Sequence, residues 1–353
     1  MKGSDKLGRF TVYNKIATPD KLAKINEDNK QLGEDWLEYL QSIDRSPQSL
    51  VAYRSDLNIF WVWCAEFNNN KFFTDLTKRE IAKFQNHAIN TWGWSPNRVR
   101  RVKSCLSSLS NYIQNVLDDE EEFENFKPII RRIENPAKEN VREKTVLPDE
   151  QVDYLLETLV NRKQYERACA IAIVAYSGMR KSELLEMKTE FFNEEHFVYD
   201  AMWKTDKIRT KGFGKLGKPL NKFILYGAKP YIDLWMNERK EKGIDNEYLF
   251  VSKTKVKDPE NNYVYNRRKY LDHWVDEFTE ILGVDFYFHC MRHYTCTKLH
   301  RMNLPSHVIQ EFFGWSSSEM LKIYNDLTAE DEFGKYFDKD GIKEVKQGSL
   351  SDM

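Results

Sequence analysis

The sequence predicts a mainly α-helical protein in two parts: an N-terminal helical domain, then a mixed α/β domain with a small antiparallel sheet. Apolar residues recur at helical spacing through the first third and again towards the C-terminus. A lysine- and glycine-rich stretch lies between two β-prone runs, as in a hairpin. A charged stretch carrying Pro128 and Pro136 separates two regions, and the 353-residue chain is long enough for each to bury a core.

Residues 1–28 are polar, lack a core pattern and read as an extension. Residues 29–118 read as four helices. Leu32, Trp36, Leu37 and Leu40 mark the first, and Leu50, Tyr53, Leu57, Phe60, Trp61 and Cys64 mark the second. The second opens on Ser46-Pro47 and the fourth on Ser95-Pro96, each an N-cap followed by a first-turn proline. Thr77-Lys78-Arg79-Glu80 is a capping box that opens the third. The fourth carries Val99, Val102, Leu106, Leu109 and Ile113 towards a core.

Residues 119–145 read as the linker and 146–328 as the second domain, which starts at a capped helix after Leu147-Pro148. Residues 168–176 are an apolar run that should stop at Ser177-Gly178, and a short helix should follow Arg180, leaving backbone N–H groups to face an anion. Phe197-Val198-Tyr199, the turn 207–214 and the run 219–225 read as strand, turn and strand. Helices are expected over 288–302, over 305–313 with Gly314 as its stop, and within 318–327. Residues 329–353 form a tail.

Lys plus Arg total 54 against 55 Asp plus Glu, a net charge of −1, so any affinity for a polyanion must be local. Basic residues cluster at Arg98, Arg100, Arg101 and Lys103, at Arg131 and Arg132, and over 204–218, while acidic charge gathers at 118–124 and 330–332. These six residues, in the first domain and the linker, are the candidate DNA contacts; a solvated basic face of a plain helical bundle is the alternative for the first domain. Five cysteines without framework spacing and no signal-like N-terminus point to a reduced, cytoplasmic setting. No apolar run approaches the ~20 residues of a membrane helix.

Four separated stretches carry chemistry: Arg180 in Ser177-Gly178-Met179-Arg180-Lys181-Ser182-Glu183, His289-Cys290-Met291-Arg292-His293, Gly314-Trp315, and Tyr324. His289 and Arg292 share one face of a helix. Arg forks match the charge and planar geometry of a phosphodiester in its pentacoordinate state. A phenol, ordinarily titrating near ~10, attacks only when a base or cations draw off its proton. Taken singly, Arg180 reads as an ion-pair partner of Glu183, and Trp315 and Tyr324 as core aromatics. His289, Cys290, His293 and Cys296 alternate around two helix faces, which argues against a metal site.

Together the Arg-x-x-Glu turn, the His-x-x-Arg helix, the Gly-Trp pair and the downstream Tyr resemble the tyrosine recombinases, or phage-type integrases, over residues 29–327. The resemblance implies the DNA breaking-rejoining fold, with 29–118 a core-type DNA-binding domain and 146–328 the catalytic domain. It implies Tyr324 as nucleophile, Arg180 and Arg292 as the charge clamp, His289 as proton-transfer group, and Trp315 in the place where many members have His, with Glu183 in support. The family's general acid is a hairpin lysine, here Lys211 by first choice and Lys204 by second. The expected activity is site-specific recombination through a 3′-phosphotyrosyl link without cofactor, metal or ATP. The expected partners are double-stranded recombination sites, a tetramer of the chain, and a directionality factor; the tail either docks in trans on a neighbouring protomer or is a disordered end, and the expected place is the nucleoid within the cytoplasm.

The N-terminal extension favours integration or excision of a mobile element. A chromosome- or plasmid-resolving recombinase, a relaxing enzyme like the type IB topoisomerases and a noncatalytic DNA-binding module are the alternatives.

Overall fold

In the computed structural model the described residues are 15–137, 145–210, 217–251, 255–257, 263–265, 270–324, 337–338 and 341–342. The chain divides into two compact units, Met1–Glu143 with Gly212–Gly217 and Lys144–Lys211 with Lys218–Met353. In the first unit a short helix α1 (Pro19–Leu22) precedes α2 (Glu27–Ser42), α3 (Pro47–Phe67), α4 (Lys78–Asn90) and α5 (Pro96–Val116). The expected caps are in place. Ser46 and Ser95 accept from the N–H groups of Ser49 and Arg98, and Thr77 and Glu80 cap each other reciprocally.

The core of this unit is aromatic, with Trp36, Phe60, Trp61 and Phe84 buried and Phe60 set edge-on to Phe84 at 4.9 Å. Buried Asn29 ties α2 to the chain beyond α3: its amide donates to Lys71 O at 2.8 Å and accepts from Phe73 N at 2.9 Å.

The second unit is built around α7 (Tyr165–Ala175), whose residues Ala168 to Ala175 are all buried. It packs against α6 (Asp149–Asn161), α9 (Lys229–Glu241) and α11 (Phe288–Arg301), which explains why its sequence is apolar all round. The other α-helices among the described residues of this unit are α8 (Lys181–Leu184), α10 (Val275–Leu282), α12 (Ser306–Phe313) and α13 (Glu319–Tyr324).

The sheet is more divided than the strand–turn–strand expectation. Strands β1 (Phe197–Val198), β2 (Met202–Lys204) and β5 (Phe223–Leu225) form one antiparallel sheet, in register Phe197↔Trp203 and Trp203↔Ile224. Strands β3 (Ile208–Thr210) and β4 (Lys218–Leu220) form a separate ladder. Tyr199, expected in a strand, instead turns the chain: Tyr199 and Asp200 have φ of +58° and +50°, and Ala201 N donates to Val198 O. The run 219–225 is split because Thr205 and Asn221 intervene. Asn221 Nδ2 donates to Thr205 O at 2.6 Å, and Lys222 N donates to Thr205 Oγ1 at 2.9 Å. Further pairs are β6 (Lys255–Lys257) with β7 (Tyr263–Tyr265) and β8 (Phe337–Asp338) with β9 (Gly341–Ile342). Apart from β8 and β9, the tail proposed to dock in trans lies outside the described residues. Among the described residues no helix is long and apolar enough to cross a membrane.

Two glycines permit the close approaches on which the second unit depends. Gly178, at φ +59°, ends α7, and a Cβ there would lie 2.1 Å from Phe313 Cε1. Gly314, at φ +67°, stops α12 as expected, and its Cβ would meet Leu220 Cδ1 at 2.8 Å. Gly178→Ala therefore combines left-handed strain with overpacking and should cost about 3 kcal/mol or more. Gly243→Ala, at φ +60° with open space around it, should cost only the ~1 kcal/mol of backbone strain. Urea unfolding of the two variants checks this; equal losses would contradict the packing argument.

Candidate active site

The helix stop at Gly178 sets up the first cation. Ser177 Oγ bonds back to Ile173 O and accepts from Met179 N, so the chain leaves α7 in a fixed turn and delivers Arg180 to the start of α8. Glu183 lies one helical turn on, fully buried, and accepts from Arg180 twice: from its main-chain N at 2.8 Å and from Nη1 at 2.9 Å. The Arg180 N–H expected to face an anion is thus capped from within. Arg180 keeps 26% of its side chain exposed.

Helix α11 supplies the second cation and the imidazole from one face, as their spacing requires. Thr295 Oγ1 fastens this helix to the end of α7 through the carbonyls of Val174 and Ala175. Arg292 has no exposed surface, and its Nη1 donates to Gly178 O at 2.7 Å. Its Nε and Nη2 are buried with no hydrogen-bond partner among the described residues. Burial, and next the nearby charge of Arg180, push the Arg292 guanidinium down to about 10.

Trp315 follows the Gly314 stop and lies between two rings. It stacks on Phe313 at 4.4 Å and 9°, and on Tyr324 at 5.2 Å and 18°. The Arg292 Cζ faces all three rings, 4.7 Å from Phe313, 5.1 Å from Trp315 and 5.3 Å from Tyr324. Trp315 is packed between these rings, and its indole Nε1 is buried without a hydrogen-bond partner among the described residues. The Tyr324 hydroxyl hydrogen-bonds to His289 Nε2 at 2.8 Å.

The structure thus brings Arg180, Glu183, His289, Arg292, Trp315 and Tyr324 into one cluster. Lys211, the first choice as general acid, lies outside the described residues; Lys204 ends β2 with its side chain exposed.

Sequence reasoning missed two members. His293 packs its ring on Tyr324 at 4.8 Å. Lys222 is buried, with Nζ 3.1 Å from Glu183 Oε2. Burial holds the Lys222 ammonium below its ordinary range, and the two arginines act in the same direction against the pull of Glu183. Among the described residues no group of three or more His, Cys, Asp or Glu is arranged to hold a metal; Cys290 and Cys296 are buried in the core.

The proposed DNA contacts of the first unit fare unequally. Arg132 is exposed, Arg131 is exposed with Nε donating to Ser107 Oγ, and Arg98 lies over the Trp94 ring at 4.2 Å. Arg100 reaches Pro136 O, and Arg101 grips the buried Asp56 carboxylate with two donors. Lys103 departs from the expectation: it is 3% exposed, and its Nζ donates to Gln85 Oε1, Ile133 O and Glu134 O. Its place on the apolar stripe of α5, one turn from Val99 and from Leu106, was the signal for this.

Chemically the cluster offers a hydroxyl hydrogen-bonded to an imidazole, beside cations that outnumber the carboxylate they share. The description Phage integrase family fits residues 145–331, and Phage integrase, N-terminal SAM-like domain, fits residues 32–122. The chain is 26% identical over 266 residues to the SPbeta prophage-derived recombinase-like protein YomM of Bacillus subtilis (strain 168), covering 74% of this chain and 75% of that one. It is 24% identical over 311 residues to a tyrosine recombinase of Thermosipho africanus (strain TCF52B), covering 84% and 95%. A lambda integrase dimer bound to a COC′ core site has the same fold, with a TM-score of 0.59 at 17% identity over 89% of this chain and 99% of that one. With the phage integrase family matched over residues 145–331, more than half of this chain, and the N-terminal SAM-like domain matched over residues 32–122, this chain belongs to the phage integrase family, the tyrosine recombinases.

Proposed function

We propose that this protein cuts and rejoins double-stranded DNA at specific sites through a 3′-phosphotyrosyl link on Tyr324, in the integration and excision of a mobile element. The observation that carries the chemistry is the set of buried donors beside Tyr324 that have no partner among the described residues, namely Arg292 Nε and Nη2 and Trp315 Nε1. A buried donor without an acceptor costs free energy unless something supplies one, and phosphate oxygens would. Similarity to a prophage-derived recombinase-like protein supports the mobile-element part.

In the cleavage step the Tyr324 oxygen bonds to the scissile phosphorus as its proton passes to His289. The P–O5′ bond breaks, and a hairpin lysine, Lys211 or Lys204, protonates the departing oxygen. Arg180 and Arg292 face the charge that builds on the nonbridging oxygens. Attack by a 5′-hydroxyl from the partner strand reverses the step, so the bond energy is kept in the phosphotyrosyl link. Exchange between two sites calls for a tetramer, with the tail 329–353 docking on a neighbouring protomer, and a directionality factor is the accessory partner this reading allows.

With a nicked suicide DNA substrate the wild type should form a covalent adduct that survives denaturation. Tyr324→Phe should bind the same DNA and form none; an adduct that persists in this variant refutes the nucleophile. A 5′-bridging phosphorothiolate needs no general acid, so it should restore cleavage to Lys211→Ala; restoration confined to Lys204→Ala would move the role to that residue. For the first unit, Arg132→Ala should lower the slope of log affinity against log salt by about one per lost phosphate contact. Lys103→Met should leave that slope alone and lower the urea midpoint. The opposite pattern would return Lys103 to the DNA face.

A further inference from the structure

Lys222 takes no part in the steps above, yet the hairpin is built to turn it inward. Thr205, itself buried, holds the Lys222 backbone from both sides: its N–H donates to Lys222 O at 2.9 Å and its Oγ1 accepts from Lys222 N at 2.9 Å. Asn221 closes the same loop through Thr205 O. The result breaks the run between β4 and β5 and sends the ammonium to Glu183 Oε2. An exposed lysine would satisfy a surface hairpin at less cost, since burying a long charged side chain forfeits both hydration and rotamer freedom.

We propose that Lys222 is a positioning residue for strand transfer, holding Arg180 in place through the Glu183 carboxylate; this rests on the recombinase reading above. Glu183 is the joint of the arrangement. It takes the Arg180 main-chain N–H and one arm of its guanidinium, and Lys222 fixes it from the opposite element. Three groups face that carboxyl: Arg180 from its own turn, Lys222 from the break between β4 and β5, and Arg292 from α11. Burial presses the carboxyl up, and Lys222, the Arg180 N–H and the two guanidiniums more than reverse this, so it titrates below its ordinary range. Without Lys222 the upward pressure of burial meets less opposition. The carboxyl then takes a proton at higher pH, and as pH falls Arg180 loses its anchor sooner.

The test measures adduct formation on the nicked suicide substrate against pH, with thermal unfolding and noncovalent DNA binding as checks on folding. Lys222→Met should cleave roughly 10- to 100-fold more slowly at neutral pH, the usual effect of a misplaced charge clamp. Its acid limb should move to higher pH, so that part of the rate returns as pH rises. Lys222→Arg should keep the wild-type limb and most of the rate. The paired variant Lys222→Met with Glu183→Gln has no carboxyl to titrate and should lose the shift. Should Lys222→Met fail to fold, Lys222→Gln, which keeps a donor to the carboxylate, is read by the same criterion. A folded, DNA-bound variant whose acid limb does not move overturns the proposal. So does full restoration of Lys222→Met by the 5′-bridging phosphorothiolate, which would make Lys222 the general acid. No adduct from the wild type would instead fail the recombinase reading itself.

Discussion

Three cations share one buried carboxylate at the centre of the second unit, and the site depends on that imbalance. Glu183 is faced by Arg180, Lys222 and Arg292, and Arg292 has no exposed surface at all. Charge held away from water is expensive unless paired and hydrogen-bonded. Here a single carboxylate and the Gly178 carbonyl offset only part of that cost. That leaves the cations around Glu183 in excess of the carboxylate they face, beside Trp315 and Tyr324.

The scaffold holds this unfavourable arrangement by packing. Phe313, Trp315 and Tyr324 form a stack along one side of Arg292, so the ring faces supply attraction where hydrogen bonds are missing. Gly178 lets Phe313 approach the end of α7, and Gly314 lets the chain reverse into Trp315 against Leu220. Thr295 and the Gly178 carbonyl join α11 to the same end of α7. The site is thus set mainly by helix ends packed on helix ends, with the hairpin adding Lys222. Positioning of this kind lets cations meet a developing charge without reorganising when it forms.

Much of this was legible in the sequence. Ser46-Pro47, Ser95-Pro96 and the Thr77–Glu80 box place three of the helix starts in the first unit because capping is local chemistry. The spaced Arg180, His289, Arg292, Trp315 and Tyr324 could be grouped because together they resemble the tyrosine recombinases; helix stops at Gly178 and Gly314 marked the places of Arg180 and Trp315, while no local signal marked Tyr324. The hairpin was less legible. Nothing local marks Tyr199 as left-handed, and the backbone of Lys222 is held by Thr205, distant in sequence, whose own carbonyl is tied by Asn221. Lys103 misled in the other direction: its basic neighbours suggested a DNA face, while its place in the apolar stripe of α5 already pointed inward.

The proposed chemistry turns on where the scissile phosphate sits. A crystal structure of Tyr324→Phe bound to its duplex site tests it most directly. The account predicts nonbridging oxygens of the scissile phosphate within hydrogen-bond distance of Arg292 Nε and Nη2 and of Trp315 Nε1, with Arg180 on the same group. A phosphate held elsewhere, with those three donors still unpaired, would contradict it.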